Sequence, residues 1–181
     1  MSSDGVARER LRSIIADRSL LKDGEFTLAS GAKSSMFFDM KKTMLDPEGA
    51  SLLTNALWEL LIDRPADCIG GLEMGAVPIV SQLSMRSFPE KPIPSFFVRK
   101  QTKGHGTDKK IDGYLLKGKT AIIFEDVTTT GGSAMQAVDA VRTAGLVVDT
   151  VITVVDRMEG AEETFTKGKV NLVSLFTRDD F

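Results

Sequence analysis

The most constraining feature of this sequence is a regular spacing of short apolar runs that each end in a charged residue. The ends at Glu73, Arg99, Asp126 and Asp156 are separated by 26, 27 and 30 residues. Each interval accommodates a strand, a crossover helix and two loops, which is the pattern of a parallel α/β sheet. We therefore predict an α/β fold with a central, mostly parallel sheet flanked by helices. The predicted strands are Asp67–Leu72, Ser95–Val98, Ala121–Phe124, Val147–Val155 and, at a sheet edge, Asn171–Phe176.

The first part of the chain lies outside this spacing. Apolar residues recur at helical intervals over residues 7–15, and a short extended stretch is expected at Glu25–Ser30. A second helix is predicted after Asp46, its N-cap, with a proline at the first helical position. We predict one domain over the whole chain, in which residues 1–45 form a small N-terminal hood and residues 46–181 form the α/β core.

Composition and charge argue against several classes of protein. Hydrophobic residues make up 42% of the chain, which is enough for a sizeable core, and the formal net charge of -2 offers no basic excess for nucleic acid. One cysteine, Cys68, and one histidine, His105, cannot form a disulfide or a Cys/His zinc site within the chain. No signal peptide is recognisable, and the apolar runs are too short to cross a bilayer. We therefore expect a cytoplasmic protein that binds neither nucleic acid nor membrane.

The most informative stretch follows the third predicted strand and begins with two adjacent carboxylates, Glu125 and Asp126. Behind them come a turn rich in hydroxyls and glycine and then a predicted helix. Glycine lets the backbone approach a ligand closely, and the free N–H groups of a helix start favour an anion such as phosphate. Carboxylates repel phosphate, so we expect them to address ribose hydroxyls or a magnesium ion on the same ligand. The residues of the turn are Thr128, Thr129, Thr130, Gly131, Gly132 and Ser133.

A phosphate and a ribose at this spacing describe a 5-phosphoribosyl group, and the stretch resembles the phosphoribosyl-pyrophosphate-binding motif of the type I phosphoribosyltransferases. The resemblance implies that Glu125, Asp126 and Val127 contact this substrate together with the turn. It also implies that the two carboxylates hold the ribose hydroxyls, with Asp126 among the catalytic residues. Mg²⁺ is the expected cofactor, held through the pyrophosphate and ribose of the substrate and not by a metal site of the protein.

Three further stretches resemble signatures of the orotate phosphoribosyltransferases: Phe26–Lys42, Arg99–Gly106 and the pair Asp156–Arg157. This resemblance covers most of the chain in the same order. It implies transfer of the phosphoribosyl group to orotate, giving orotidine 5′-monophosphate and pyrophosphate in de novo pyrimidine (UMP) biosynthesis. It also implies a homodimer, and we expect the active site to be shared between the subunits. A purine phosphoribosyltransferase and a regulatory protein that senses phosphoribosyl pyrophosphate remain the alternatives.

Orotate is a flat, anionic pyrimidine, so its site needs a cation and an apolar surface. Arg157, at a strand end, is the candidate for a bidentate contact with the carboxylate. Phe37 and Phe38 are candidates for the ring wall, and Thr129 for a directional hydrogen bond. Each residue also has a structural interpretation, since such an arginine often forms a surface ion pair and adjacent phenylalanines often belong to the core.

A basic, glycine-containing stretch follows the second predicted strand, and Arg99, Lys100, Lys103 and His105 are its candidate substrate contacts. Displacement at an anomeric carbon passes through an oxocarbenium-like ribose, which water would capture in an open site. A basic loop with glycine hinges is suited to close over such a site. We therefore predict a lid in which Lys103 and His105 act as catalytic residues that neutralise or protonate the departing pyrophosphate.

Two positions depart from the pattern of many relatives, which hold a lysine near the base at the position of Ala29 and a lysine near the pyrophosphate at the position of Met74. The stretch Gly70–Pro78 still resembles a pyrophosphate loop, but it would have to bind through backbone N–H groups. We therefore expect the basic stretch to supply most of the cations. Lys41 and Lys42 are the next candidates for the orotate carboxylate if the strand-end arginine does not bind it.

Overall fold

The structure is a computed structural model that describes residues 3–27, 33–101 and 110–181. Its centre is a parallel sheet with strand order β3–β6–β7–β8, and helices cover both faces, so the predicted α/β fold is confirmed. The strands are β1 (Leu20–Thr27), β2 (Lys33–Phe38), β3 (Cys68–Gly70), β4 (Phe96–Val98), β5 (Ile111–Gly113), β6 (Ala121–Thr128), β7 (Thr150–Asp156) and β8 (Asn171–Thr177). The α-helices are α1 (Ser3–Ile14), α2 (Lys41–Met44), α3 (Pro47–Leu61), α4 (Ala76–Ser87), α5 (Gly132–Thr143) and α6 (Ala161–Lys167).

The sheet differs from the prediction at β5 and β6 and also in the bounds of two other strands. β3 is shorter than the predicted Asp67–Leu72, and β7 begins at Thr150 and not at Val147. The predicted strand Ala121–Phe124 is too short, because residues Glu125–Thr128 continue β6 beyond the acidic pair and pair in parallel with residues 153–156 of β7. β5 was not predicted; it pairs antiparallel with β4, which lies beside β3 through bridges at Ile69 and Leu72. The predicted edge position of β8 is confirmed within the described sheet.

Alternation along the buried strands divides the core into two layers, because successive side chains of a strand point to opposite faces. Ile122 and Phe124 pack on the face covered by α3 and α4, whereas Ala121 and Ile123 pack on the face covered by α5 and α6. Leu53, Leu57 and Leu61 of α3 and Ala134, Val138 and Val141 of α5 are buried.

Two helix ends are fixed by capping residues that can be recognised in the sequence. Asp46 accepts a hydrogen bond from the Gly49 N–H at 2.8 Å and caps α3, whose first residue is a proline, as predicted. Gly145 has φ +92° after the end of α5, and its N–H donates to the carbonyl of Arg142 while the next N–H donates to Val141. This pair of bonds is a Schellman motif, and it orients the chain toward β7.

The N-terminal segment precedes the sheet in the chain and packs into the same core layer as α3 and α4. α1 continues into a π-helical turn at Ile15–Ser19, and β1 and β2 then form an antiparallel hairpin with a register shift between Lys22 and Phe26. The extended stretch is thus longer than predicted at its start, since β1 begins at Leu20. The boundary of the hood at residue 45 stays a prediction. None of the helices in the described ranges is long and apolar enough to cross a membrane.

Candidate active site

The turn between β6 and α5 surrounds a small cavity of about 90 Å³. Gly131 immediately precedes α5 and has φ +82°, a left-handed conformation that favours glycine. No side chain at this position caps the helix, so the first N–H groups of α5 are available to an anion. The cavity is lined by Glu125, Val127, Thr128, Thr129, Thr130, Gly131, Gly132, Ser133 and Ala134.

Glu125 lies at the floor of this region with only 6% of its surface exposed. Its Oε2 atom is buried and has no hydrogen-bond partner among the described residues. Burial raises the pKa of this carboxyl well above its ordinary value, and the neighbouring charge of Asp126 raises it further. In the free protein Glu125 is therefore a carboxyl group biased toward its neutral form and lacking a partner for one oxygen.

Asp126 is half-buried, and its Oδ1 accepts a hydrogen bond from the Val127 N–H at 2.9 Å. The loop after β3 approaches this carboxylate closely, because a Cβ atom built on Gly75 would lie 2.4 Å from Oδ1. Only glycine at position 75 permits that approach without a shift. The acidic end of β6 and the loop Leu72–Gly75 are thus adjacent, and the latter lies within the predicted pyrophosphate loop.

A larger cleft of about 460 Å³ brings most of the predicted site residues together. It joins the acidic pair and part of the hydroxyl turn to the aromatic pair, one lysine of the basic stretch and the strand-end arginine. The cleft is lined by Phe37, Phe38, Lys41, Leu72, Glu73, Met74, Gly75, Lys100, Glu125, Asp126, Val127, Thr129, Ser133 and Arg157.

Arg157 follows β7 directly and is 2% exposed. Its backbone N–H donates to the carbonyl oxygen of Thr128 at 2.9 Å, which ties the ends of β6 and β7 together. Its Nη2 atom lies 2.8 Å from Oε1 of Glu159, so the guanidinium is held in place by a carboxylate. An arginine fixed in this way presents a preorganised fork to a planar carboxylate.

The two rings of the aromatic pair have different supports. The Phe37 ring stacks on Phe26 of the opposite strand at a centroid distance of 5.7 Å. The Phe38 ring is 4% exposed and packs edge-on against Phe181, 5.3 Å away, which in turn contacts Phe176 of β8. Phe38 is thus both a core residue and a residue of the cleft.

The basic stretch is only partly described. Lys100 lines the cleft, and its backbone N–H donates to Oε1 of Glu73 at 3.0 Å. Arg99 is not among the residues that line the cleft; it pairs with Asp112 of β5 and lies 5.6 Å from the centroid of the Phe97 ring. The predicted catalytic residues Lys103 and His105, and the position of Ala29, lie outside the described residues.

Five residues that line the cleft are not among the predicted site residues: Lys41, Leu72, Glu73, Met74 and Gly75. Lys41 appeared only as a substitute for Arg157. The available signal was its place three positions after Phe38, within the stretch that carries the aromatic pair. The other four residues belong to the loop after β3. The resemblance of this stretch to a pyrophosphate loop predicts that it contacts substrate, but it does not predict which side chains face the cleft.

Within the described ranges, no group of three or more His, Cys, Asp or Glu side chains is arranged to hold a metal ion. The carboxylate oxygens of Glu125 and Asp126 nevertheless line the same cleft, and one of them is buried without a partner. Oxygens of this kind suit hydroxyl groups and the water molecules of a hydrated Mg²⁺ ion.

The chain is similar to known proteins over nearly its whole length. The phosphoribosyl transferase domain family matches residues 45–172. The chain is 48% identical to an orotate phosphoribosyltransferase of Rhodopseudomonas palustris over 99% of its own length and 98% of that protein. It is 50% identical to the orotate phosphoribosyltransferase of Bradyrhizobium diazoefficiens, with the same coverage. A crystal structure of the Mycobacterium tuberculosis orotate phosphoribosyltransferase with 5-phospho-alpha-D-ribosyl 1-diphosphate is similar at a TM-score of 0.77 and 30% identity, over 96% of this chain and 98% of that chain.

Proposed function

Because the chain belongs to the orotate phosphoribosyltransferases of the phosphoribosyl transferase family, we propose which of its residues perform each part of the reaction. The enzyme transfers the 5-phosphoribosyl group of phosphoribosyl pyrophosphate to orotate, forming orotidine 5′-monophosphate and pyrophosphate in pyrimidine biosynthesis. The observation that carries the assignment is the single cleft that joins the acidic pair, the turn, the aromatic pair and Arg157.

The turn Thr128–Ser133 binds the 5′-phosphate of the substrate. Backbone N–H groups at the start of α5 donate to the phosphate oxygens, and the threonine and serine hydroxyls add further donors. Val127 lines the small cavity beside the turn and contacts the substrate there. Because these donors are fixed by the strand and helix on either side, the phosphate is held without reorganisation of the chain.

Glu125 and Asp126 hold the two ribose hydroxyls. The Oε2 atom of Glu125 lacks a partner in the free protein, and a ribose hydroxyl supplies one. Asp126, whose position is fixed by the Val127 N–H, acts on the reacting ribose as positive charge develops at its anomeric carbon. A Mg²⁺ ion held through the substrate, near the carboxylates of Glu125 and Asp126, would neutralise charge on the leaving pyrophosphate.

Orotate lies at the other end of the cleft. Arg157 receives the carboxylate of orotate, Phe37 and Phe38 cover the ring, and Thr129 supplies a hydrogen bond that orients the base. The base nitrogen is thereby directed toward the ribose that the acidic pair holds. Positioning of two substrates in one cleft removes much of the entropic barrier of a bimolecular reaction.

The basic stretch receives the leaving group. Arg99, Lys100, Lys103 and His105 are proposed to surround the pyrophosphate, with Lys103 and His105 neutralising or protonating it as it departs. Closure of this stretch over the cleft would also exclude water from the cationic ribose. We place the reaction in the cytoplasm because a sugar bearing a phosphate and a pyrophosphate does not cross a membrane unaided.

We also propose a homodimer in which Lys103 and His105 of one subunit close over the acidic pair of the other. Inactive Lys103→Ala and inactive Asp126→Asn proteins, mixed under conditions that exchange subunits, would then regain about a quarter of the wild-type rate. Half of the randomly formed dimers would be mixed, and each would carry one intact site. Demonstrated exchange without recovered activity would exclude the shared site.

The experiment that tests the assignment is incubation with phosphoribosyl pyrophosphate and Mg²⁺ and, in turn, orotate, adenine, guanine, hypoxanthine or no base, while pyrophosphate release is followed. Release with orotate alone is the expected result. Release with a purine would make the protein a purine phosphoribosyltransferase. Binding of phosphoribosyl pyrophosphate without release for any base would instead indicate a regulatory protein.

A further inference from the structure

The charge of the cleft is nearly balanced among the described residues, although the substrates that it takes are anions. Its acidic side chains are Glu73, Glu125 and Asp126, and its cations within the described ranges are Lys41, Lys100 and Arg157. Arg157 is buried beside Glu159 and is assigned above to orotate. Of the cations that line the cleft in the described ranges, Lys100 and Lys41 are therefore left for the pyrophosphate, since Arg99 pairs with Asp112 outside this lining.

Lys41 lines the cleft and remains largely exposed to solvent. It is the first residue of α2, directly after the strand that carries the aromatic pair, and its side chain is 59% exposed. Its Nζ lies 2.5 Å from Oδ1 of Asp39, so one carboxylate orients the ammonium group. An ammonium group has three N–H donors, and the pair with Asp39 leaves others for a second anion.

A hydrogen bond connects the helix of Lys41 to α4, the helix that follows the loop Leu72–Gly75. Gln82 of α4 donates from Nε2 to the carbonyl oxygen of Met44, the last residue of α2, at 2.9 Å. In the loop Leu72–Gly75 the side chain of Met74 is 63% exposed and lines the same cleft as Lys41.

We propose that Lys41 is a pyrophosphate-binding residue of this enzyme, supplying from the hood side the cation that Met74 does not supply from the loop. This inference rests on the proposed function. Lys41 acts as a point charge on the pyrophosphate of the sugar substrate, and Asp39 orients it. Orotate binding does not depend on it, because the single carboxylate of orotate has Arg157.

Lys41→Met removes the charge and keeps an apolar stem of similar length, and Lys42→Met is the matched control because Lys42 is an exposed neighbour that does not line the cleft. The KM for phosphoribosyl pyrophosphate is expected to rise about tenfold in Lys41→Met, with the KM for orotate within about twofold of wild type. Inhibition by inorganic pyrophosphate should weaken by a similar factor, whereas Lys41→Arg and Lys42→Met should resemble wild type.

The double variant Lys41→Met with Met74→Lys provides a second test, since it moves the charge to the loop. A recovery of most of the lost affinity for phosphoribosyl pyrophosphate would support a shared pyrophosphate site. An unchanged KM for this substrate in Lys41→Met would overturn the inference, and so would an increase confined to the KM for orotate. Wild-type protein that forms no orotidine 5′-monophosphate would instead refute the proposed function, so the two failures are distinguishable.

Discussion

The active-site cleft has two walls that are built in different ways. The sheet wall consists of Glu125–Ser133 and Arg157, and the hood wall consists of Phe37, Phe38 and Lys41. The sheet wall is set by strand register, since β6 pairs with β7 residue by residue up to its last position. In the hood wall, Phe37 and Phe38 belong to a two-stranded hairpin with a register shift, and Lys41 begins α2. The support of this wall includes an aromatic contact of Phe38 to Phe181 and an ion pair of Lys41 with Asp39.

The two walls therefore depend on different contacts. Removal of a functional group from the sheet wall leaves the backbone in place, because the sheet and α5 determine its position. Removal of a supporting residue from the hood wall is expected to move the functional groups themselves. Substitutions in the sheet wall should therefore lower activity without lowering stability, whereas substitutions in the hood wall should lower both.

The largest expected effect is loss of a charge from the sheet wall. Asp126→Asn should lower kcat/KM by about 100-fold, because one preorganised contact to the reacting ribose is lost. The amide oxygen of asparagine can still accept the Val127 N–H, so the midpoint of thermal unfolding should change little. Activity and unfolding are measured together, with Asp139→Asn on the exposed surface of α5 as the control.

Near-normal activity in both Asp126→Asn and Glu125→Gln would contradict the assignment of the ribose hydroxyls to this pair. A large loss of activity accompanied by a large loss of stability would contradict the separation of chemistry and stability in the sheet wall.

The next largest effect concerns the base. Arg157→Ala should weaken orotate binding by about 30-fold or more, because a buried cation that faces the carboxylate is removed. Affinity for phosphoribosyl pyrophosphate should change far less. Calorimetry with each substrate measures both, and Glu159→Gln separates the role of Arg157 from that of its ion pair. Unchanged affinity for orotate would show that the carboxylate binds another residue.

The two walls also differ in how far the sequence predicts them. The sheet wall follows from local signals: a buried apolar strand, two acids, a run of hydroxyls and a glycine whose φ of +82° only a flexible residue adopts readily. The misplaced end of β6 shows the limit of such signals, because Glu125 is polar and yet pairs with β7 inside the sheet. Polarity at a strand end is therefore a poor guide to where hydrogen bonding stops.

The hood wall depends on contacts between residues that are distant in the sequence. No local pattern indicates that Phe38 packs on Phe181, or that Gln82 donates to the end of α2. β5 was not predicted for a similar reason. Its three residues end in glycine and have little intrinsic strand propensity, so the strand depends on pairing with β4. The position of Lys41 in the lining of the cleft likewise depends on tertiary packing, and no local sequence motif predicts it.

A smaller effect tests the dependence of the hood wall on distant packing. Phe181→Ala removes the ring that supports Phe38, so the KM for orotate should rise about fivefold while the KM for phosphoribosyl pyrophosphate stays near wild type. The midpoint of thermal unfolding should fall in the same variant, and Phe181→Leu should recover part of both losses. Phe88→Ala is the control, because Phe88 is 73% exposed. A fall in stability with an unchanged KM for orotate would show that the two properties are independent here.

The smallest expected effect is a dependence of stability on pH that originates in the sheet wall. Burial, and then the charge of Asp126, raise the pKa of Glu125 well above its ordinary value. Between the ordinary and the raised pKa, the folded protein keeps a proton that the unfolded chain releases. The free energy of unfolding contributed by Glu125 is therefore fully present below its ordinary pKa and is lost as the pH rises through this window, with a slope of at most about 1.4 kcal/mol per pH unit.

Glu125→Gln keeps a neutral side chain at every pH, so its free energy of unfolding should decline less than that of wild type as the pH rises from about 5 to 8. Glu9, Asp46 and Glu48 have pKa values lowered by hydrogen bonds from Arg12, the Gly49 N–H and Arg10, and they contribute a dependence of opposite sign at lower pH. Both proteins share these groups, so the difference between the two urea-denaturation series isolates Glu125. Glu162→Gln on the exposed face of α6 should follow wild type. Parallel curves for wild type and Glu125→Gln would mean that the buried carboxyl is not held in its neutral form. Glu125 would then already be ionised before the ribose hydroxyls bind.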